Sequence, residues 1–253
     1  MSSGAAFADL RLRVARLERR PGAPSRGVVR LRIPAIDRAL PGGGFALGAL
    51  HEVAGSGPEV EHGAAAALFA AALLARTRGP ILWVLAEPDL FTPALAAVGL
   101  SPRRVLHVEA GAAVLLAMEE GLRHPGLAAV VGEIPGRLGL TASRRLHLAA
   151  EATGALALAL RRSRRFNDPA LAEPSAALTS WRVASAPSAP PLPESPATPG
   201  LGPARWRLDL VRVRGGEPAS WTVEADHASG RLALAADLAD RPAAPAEPHR
   251  AVL

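Results

Sequence analysis

The chain has 253 residues, of which 49% are hydrophobic, and it contains neither cysteine nor lysine. The absence of cysteine excludes disulfides and thiolate chemistry, which fits a reducing cytosol. All 29 basic residues are arginine, and the formal net charge is +6. This moderate excess is compatible with a nucleic acid or an acidic partner and requires neither.

The first 25 residues carry leucine and valine among arginines. Their spacing predicts a helical arm from Ala5 to Arg20, ended by Pro21, which either lies on the protein surface or binds a partner. Nothing in this segment resembles a secretory signal. The longest apolar run, Gly63 to Ala75, is too short to span a bilayer. We therefore expect a cytoplasmic protein without membrane contact.

Between residues 26 and 160, apolar strands alternate with helical patterns. Such alternation predicts a mostly parallel sheet with helices on both faces. A lead-in strand, Val28 to Ile33, and a turn-rich segment, Pro34 to Gly44, precede it. The predicted strands are Leu47–Val53, Ile81–Leu85, Arg104–Val108, Leu127–Val131 and Ala155–Leu160. The predicted helices are Gly63–Arg76, Asp89–Gly99, Ala112–Arg123 and Thr141–Thr153, with Thr141 as the N-cap of the last.

The pattern changes in the last third of the chain. Segments Ala177–Val183, Arg205–Val213 and Ser220–Ala225 predict three strands added antiparallel at one edge of the sheet. Residues 184–204 are rich in proline and predict a disordered or extended insertion. Residues 236–253 predict a flexible tail, so residues 26–235 form the one globular domain.

A glycine-rich stretch, Gly55–Gly63, joins a strand to a long helix, as nucleotide-binding loops do. A working loop reads G-x-x-x-x-G-K-[ST], whose lysine and hydroxyl hold phosphate and magnesium. Here Gly63 is followed by alanine, and Glu59 and Glu61 would repel a triphosphate. We therefore predict a structural turn without cofactor or metal. Residual nucleotide binding and an ATPase with an unusual loop stay open as alternatives.

Several segments, taken in order from residue 28 to residue 235, resemble the RecA core and, more closely, the ImuA family. This family comprises lysine-poor, RecA-like and SulA-related accessory proteins of bacterial mutagenesis operons. The resemblance rests on the order and spacing of the segments. They read IDRALPGGGFALGALHEVAGSGPE, ILWVLAEPDLFTPALAAVGLSPRRVLHVEA, AMEEGLRHPGLAAVVGEI, TASRRLHLAAE, TSWRVA and RWRLDLVRVRGGEPASWTVE.

The resemblance implies a RecA-like α/β fold and a role in SOS-induced, error-prone translesion synthesis and DNA repair. It implies an ImuB-like, inactive Y-family protein as a partner, and through it an error-prone DnaE-type polymerase. RecA is a further expected contact, DNA is a possible one, and the protein would be associated with the nucleoid. Two alternatives are a SulA-like inhibitor of cell division and a stand-alone mediator that binds single-stranded DNA.

The resemblance also suggests which residues occupy the former ATPase site. Glu87 stands where RecA relatives place the glutamate that activates water, and Gly132 or Glu133 stands where a magnesium-organising aspartate is expected. Without a lysine and this aspartate, we predict no catalytic residue and no enzyme activity. The degenerate nucleotide loop comprises Gly55, Gly57, Glu59, Gly63 and Glu87.

A basic stretch follows the last predicted parallel strand, where RecA relatives place mobile loops that line DNA. Arginine there could contact phosphates, or a protein partner. A single aromatic residue, Phe166, could stack on a base. The candidate contacts are Arg161, Arg162, Arg164, Arg165 and Phe166.

Overall fold

The computed structural model describes residues 27–192, 195, 198–226 and 230–235. The predicted helical arm at residues 5–20 and the predicted tail at residues 236–253 lie outside these described residues.

The centre of the described chain is a nine-stranded sheet in the order β11-β10-β9-β8-β3-β7-β6-β4-β5. The six strands from β8 to β5 pair in parallel, and β9, β10 and β11 are antiparallel. Two short strands, β1 (Val28–Val29) and β2 (Phe45–Ala46), pair separately. The sheet strands are β3 (Ala49–Gly55), β4 (Ile81–Leu85), β5 (Val105–Glu109), β6 (Ala129–Pro135), β7 (Leu156–Arg162), β8 (Thr179–Ala186), β9 (Ala204–Val213), β10 (Ala219–Asp226) and β11 (Arg231–Leu234).

This arrangement confirms the predicted parallel sheet with an antiparallel edge. One detail was wrong, because β8 pairs in parallel with β3 and the antiparallel edge begins at β9. Since β8 alternates apolar residues as the later strands do, its direction was not visible in the sequence. The fourth late strand, β11, was missed because it is short and half exposed.

Helices cover both faces of the sheet. They are α1 (Pro34–Ala39), α2 (Glu59–Leu74), α3 (Pro93–Ala96), α4 (Val114–Arg123) and α5 (Leu140–Thr153). The core on one face joins α2 to apolar side chains such as Trp83 and Leu158, and the core on the other face joins α4 and α5 to Val84 and Val130. Neighbouring residues of one strand, such as Trp83 and Val84, therefore face opposite layers, as the pleat requires.

Several predicted boundaries were wrong. Helix α2 begins at Glu59, ahead of Gly63, and the helix expected over Asp89–Gly99 is reduced to α3. The segment expected to be only turns contains α1. Thr141 does not cap α5, because the N-cap is Gly139 and no side chain caps that end.

The proline-rich segment is bounded more narrowly than residues 184–204, since β8 continues to Ala186 and β9 begins at Ala204. Its described residues approach one another closely. A Cβ on Gly202 would lie 2.2 Å from the carbonyl oxygen of Ala189, so only glycine permits this approach. Within the described part of the chain, no helix combines the length and apolarity needed to cross a membrane.

Three tryptophans lie in the late strands. Trp181 and Trp206 are buried, and Trp221 is partly buried against the same core. The ring centroids of Trp181 and Trp221 are 6.0 Å apart, and Phe45 stacks on Trp181 at 5.3 Å. These rings therefore belong to the packing between the antiparallel edge and the main sheet.

Candidate functional site

The predicted nucleotide loop lies at the carboxyl edge of the parallel strands, where ligands of open α/β sheets normally bind. The structure leaves little of that loop. Only residues 56–58 separate β3 from α2, and Gly63 lies in the second turn of the helix. The cradle of backbone amides that wraps a phosphate in a working loop is therefore missing.

Two of the backbone amides at this edge are bonded within the protein. The Glu59 N–H, at the first position of α2, donates to the carbonyl of Ser163 at 2.8 Å. The Ser56 N–H donates to the carbonyl of Val183 at 2.9 Å. An anion at this helix end would have to replace these bonds, because the helix N-terminus offers its donors only once.

Neighbouring side chains also pack closely against the glycines of this loop. A Cβ on Gly57 would lie 3.1 Å from both the Phe166 ring and the His62 ring. A Cβ on Gly63 would lie 2.8 Å from Cγ of Glu59, one helical turn earlier. These glycines therefore serve close packing within the protein, and Gly63 leaves room for the Glu59 side chain to lie along the helix.

The centre of the site is occupied by an arginine. The guanidinium of Arg162, at the end of β7, contacts three carboxylates, those of Glu59, Asp89 and Glu133. One of its nitrogens donates to Asp89 at 2.8 Å. The Arg162 side chain is only 18% exposed. A fixed cation and three carboxylates thus lie at the edge where magnesium and the terminal phosphates would be held.

Glu133 is the buried member of this cluster. It accepts a hydrogen bond from Nε1 of Trp83 at 2.9 Å, and burial raises the pKa of its carboxyl above the ordinary value. Gly132 points the other way, since a Cβ there would lie 2.6 Å from the sulfur of Met118. Of the two candidates for the magnesium position, only Glu133 therefore faces the site, and Arg162 contacts it.

Glu87 is exposed at the rim of the site. Its carboxylate is 3.2 Å from an Arg164 nitrogen, and both side chains are mostly exposed. This pair with Arg164 holds the Glu87 carboxylate in solvent at the rim. The predicted loop residues thus meet at one edge, yet their charged groups are bound to arginines.

The basic stretch is not one mobile loop, as predicted from sequence, because Arg161 and Arg162 belong to β7. Arg161 is buried, lies 3.8 Å from Glu52, and donates to the carbonyl of Ala170 at 3.2 Å. Its burial lowers the pKa of the guanidinium, and the nearby Glu52 carboxylate opposes this effect. The members of the stretch that lie exposed are Arg164, Arg165 and Phe166.

Sequence reasoning missed the contact between Arg162 and the acids. The available signal was Arg162 standing two residues beyond the apolar run Leu156–Leu160, where the strand alternation continues. Asp89 was hidden because it follows β4 in an irregular segment, and only the sheet order brings it beside Arg162.

An open cleft of about 610 Å³ lies between the start of α2 and the segment that leads into α3. Its walls are mainly apolar, and the Arg162 cluster forms one end. Val60 is 94% exposed and Phe91 is 70% exposed at its rim. The described residues contain no group of three or more His, Asp or Glu residues placed to hold a metal ion.

Comparison with known proteins places this geometry in a family. No family model matches the chain. The chain is 41% identical over 230 residues to Protein ImuA of Caulobacter vibrioides, in two strains, and the match covers 86% of this chain and 92% of the relative. The crystal structure of the RadB recombinase superposes with a TM-score of 0.56 at 17% identity. It covers 83% of this chain and all of that chain, and it supports the fold alone. The chain therefore belongs to the ImuA family, the RecA-like accessory proteins of bacterial mutagenesis operons.

Proposed function

We propose that this protein is a non-catalytic adaptor in SOS-induced, error-prone translesion DNA synthesis. It binds an ImuB-like, inactive Y-family protein and, through that protein, an error-prone DnaE-type polymerase. RecA is a second proposed partner, which would keep the adaptor close to the nucleoid. Membership of the ImuA family supports the pathway, and the geometry of the former nucleotide site supports the absence of catalysis.

The observation that carries the proposal is the contact of Arg162 with Glu59, Asp89 and Glu133. A triphosphate would have to expel this guanidinium from three carboxylates. It would then face the same carboxylates without a lysine to offset their charge, and like charges at such distances repel strongly. The fold therefore keeps the shape of a nucleotide-binding domain while its interior charges stabilise the empty domain.

The surface beside this cluster offers a place for the partner. Val60 and Phe91 expose apolar side chains at the cleft, and Arg164, Arg165 and Phe166 lie exposed next to them. We call these five residues the front face. Exposed apolar groups beside a concave apolar surface mark protein interaction sites, and arginine and aromatic residues dominate binding energy there. We assign the front face to the ImuB-like partner.

The test is co-purification of the tagged chain with an ImuB-like protein produced in the same cells. We expect the unaltered chain to retain the partner and Phe91→Ser to weaken retention by about tenfold or more, the loss expected for a buried aromatic anchor. Leu116→Ser is the matched control, because Leu116 is 59% exposed on α4, across the sheet from the cleft. Equal loss in both variants, or in neither, would remove the front face from the proposal.

Nucleotide assays test the non-catalytic part separately. We expect no thermal stabilisation by magnesium-ATP and no hydrolysis above background, because the helix amides and the acids are already bonded. Hydrolysis that is lost in Glu87→Gln would contradict the adaptor proposal and favour the alternative of an ATPase with an unusual loop. Partner retention without nucleotide binding would support both parts of the proposal.

A further inference from the structure

A second cleft, of about 510 Å³, opens at the amino ends of the parallel strands, opposite the front face. Its lining includes the turns before β4, β6 and β7, and four arginines project from it. We call this the back cleft. Its arginines are Arg30, Arg32, Arg76 and Arg78.

The arginines of the back cleft are not paired with carboxylates as Arg162 is at the opposite edge of the sheet. No carboxylate lines the cleft. Among ion pairs between described residues, none involves any of its four arginines. Arg231 lies near Arg76, and in the hairpin register it stands opposite Asp226. Every other lining side chain is apolar or a threonine, so the cleft is a concentrated positive site.

Arg32 is held in place by its backbone. Its φ of 64° lies in the left-handed region, which non-glycine residues rarely adopt. The buried Asp37 carboxylate stabilises this turn by accepting the N–H of Leu31 at 2.9 Å and that of Arg32 at 3.0 Å. Both oxygens of Asp37 accept hydrogen bonds from backbone amides, so this carboxylate stabilises the turn. The Arg32 side chain lies in the lining of the back cleft.

Arg76 is placed among like charges. Its Nε is buried without a hydrogen-bond acceptor among the described residues, and its Nη1 makes one long contact, 3.5 Å, to the carbonyl of Gly230. Burial, together with the positive charges of Arg32 and Arg231, lowers the pKa of its guanidinium. A buried guanidinium nitrogen without an acceptor costs free energy, and an anion in the cleft would offset the repulsion between Arg76 and its neighbouring arginines.

We infer that the back cleft binds phosphate groups, and specifically those in the backbone of single-stranded DNA. Guanidinium forks match phosphate oxygens, and several on one concave surface track a backbone. Contacts to phosphates carry no sequence information, so binding there would be independent of base sequence. This inference is separate from the adaptor proposal, because it concerns the opposite edge of the sheet.

The experiment measures the fluorescence anisotropy of a labelled oligothymidine of about 15 nucleotides over a range of salt concentrations. We expect Arg32→Gln/Arg78→Gln to weaken binding by about tenfold or more. The slope of log affinity against log salt should fall by about 1.4, at ~0.7 for each lost contact. Both side chains are exposed, so the variant should fold, and circular dichroism checks this.

The matched control is Arg137→Gln/Arg144→Gln, which removes the same net charge from exposed arginines outside the back cleft. We expect the control to keep its affinity within about twofold, because general charge effects are small beside direct phosphate contacts. Equal weakening in both variants, or unchanged binding in the back-cleft variant, would overturn the inference.

A titration with pyrophosphate distinguishes a nucleic-acid backbone from a small phosphate compound as the ligand. Competition between pyrophosphate and the oligonucleotide in the unaltered chain, lost in the back-cleft variant, supports the nucleic-acid backbone as ligand. Binding of pyrophosphate without any binding of the oligonucleotide would keep a phosphate site and overturn the assignment to DNA.

Discussion

Arg162 is central to the electrostatics of the cluster at the carboxyl edge of the sheet. A single guanidinium contacts Glu59, Asp89 and Glu133 and offsets part of the negative charge of these clustered acids. Removing it would leave the nearly buried Glu133 carboxylate without a cation, and an unpaired buried charge is expensive. The cluster therefore stabilises the fold.

The first prediction at this scale concerns Arg162→Ala. We expect it to lower the free energy of unfolding by about 2 kcal/mol, less than for a fully buried pair because Asp89 is half exposed. Urea denaturation measures this loss. Arg164→Ala is the control, and it should cost less than about 0.5 kcal/mol because its pair with Glu87 lies in solvent.

A double variant checks the cause. Arg162→Ala/Glu133→Gln should be less destabilised than the sum of the single changes, since the neutral amide no longer needs a cation. Strict additivity would show that the loss in Arg162→Ala comes from packing and not from the charge of Glu133.

We expect the stability of the fold to depend on pH because of the buried His51. This fully buried side chain bonds Thr179 Oγ1 through Nδ1 at 2.8 Å and the Ala46 carbonyl through Nε2 at 3.0 Å, and burial lowers its pKa to about 4. Its neutral form is required in the folded protein. Below pH 6.5 the unfolded chain binds a proton that the folded chain does not, so stability falls as pH falls.

We expect this effect to reach about 3 kcal/mol between pH 6.5 and 4, at ~1.36 kcal/mol for each pH unit. The measurement is the difference in unfolding free energy between the unaltered chain and His51→Gln across that range. The unaltered chain should lose more stability, since the glutamine does not titrate. Parallel curves for the two proteins would show that His51 is protonated within the fold.

At the scale of elements, α2 shows why only a short connection joins it to β3 where a nucleotide-binding loop was expected. The helix begins at Glu59, so the residues that would form the cradle are wound into its first turns. The first amide of the helix then bonds the Ser163 carbonyl that follows β7, which ties the helix end to the sheet. The end of α2 that would offer this amide to a ligand therefore donates it to the segment that follows β7.

Strands β8 to β10 give the prediction at this scale. Trp181 of β8 is fully buried and packs against Phe45 and Phe69, and its Nε1 donates to Thr179 at 2.9 Å. Trp181→Ala should lower the free energy of unfolding by about 3–5 kcal/mol. Trp221→Ala changes a partly buried side chain of β10, is the matched control and should cost less than half as much. Urea denaturation of the two variants compares them directly, and equal losses would contradict the buried position of Trp181.

At the scale of the whole molecule, the two ends of the sheet differ in electrostatics. At the carboxyl edge, arginines and carboxylates neutralise one another, and apolar side chains are exposed beside them. At the amino edge, arginines gather without carboxylates in the cleft. The two proposals therefore place a protein partner at one edge of the sheet and phosphate groups at the other, so that neither would exclude the other.

The sequence by itself determined the type and order of most elements, because buried strands such as Ile81–Leu85 are continuous apolar runs with breakers on either side. It also determined that no lysine could hold a phosphate. It did not determine which charges meet. Only the tertiary structure placed Asp89 and Glu133 on Arg162, and Arg32 beside Arg76. The physical reason is that sheet order joins residues far apart in the chain, while local patterns report only which face of an element is buried.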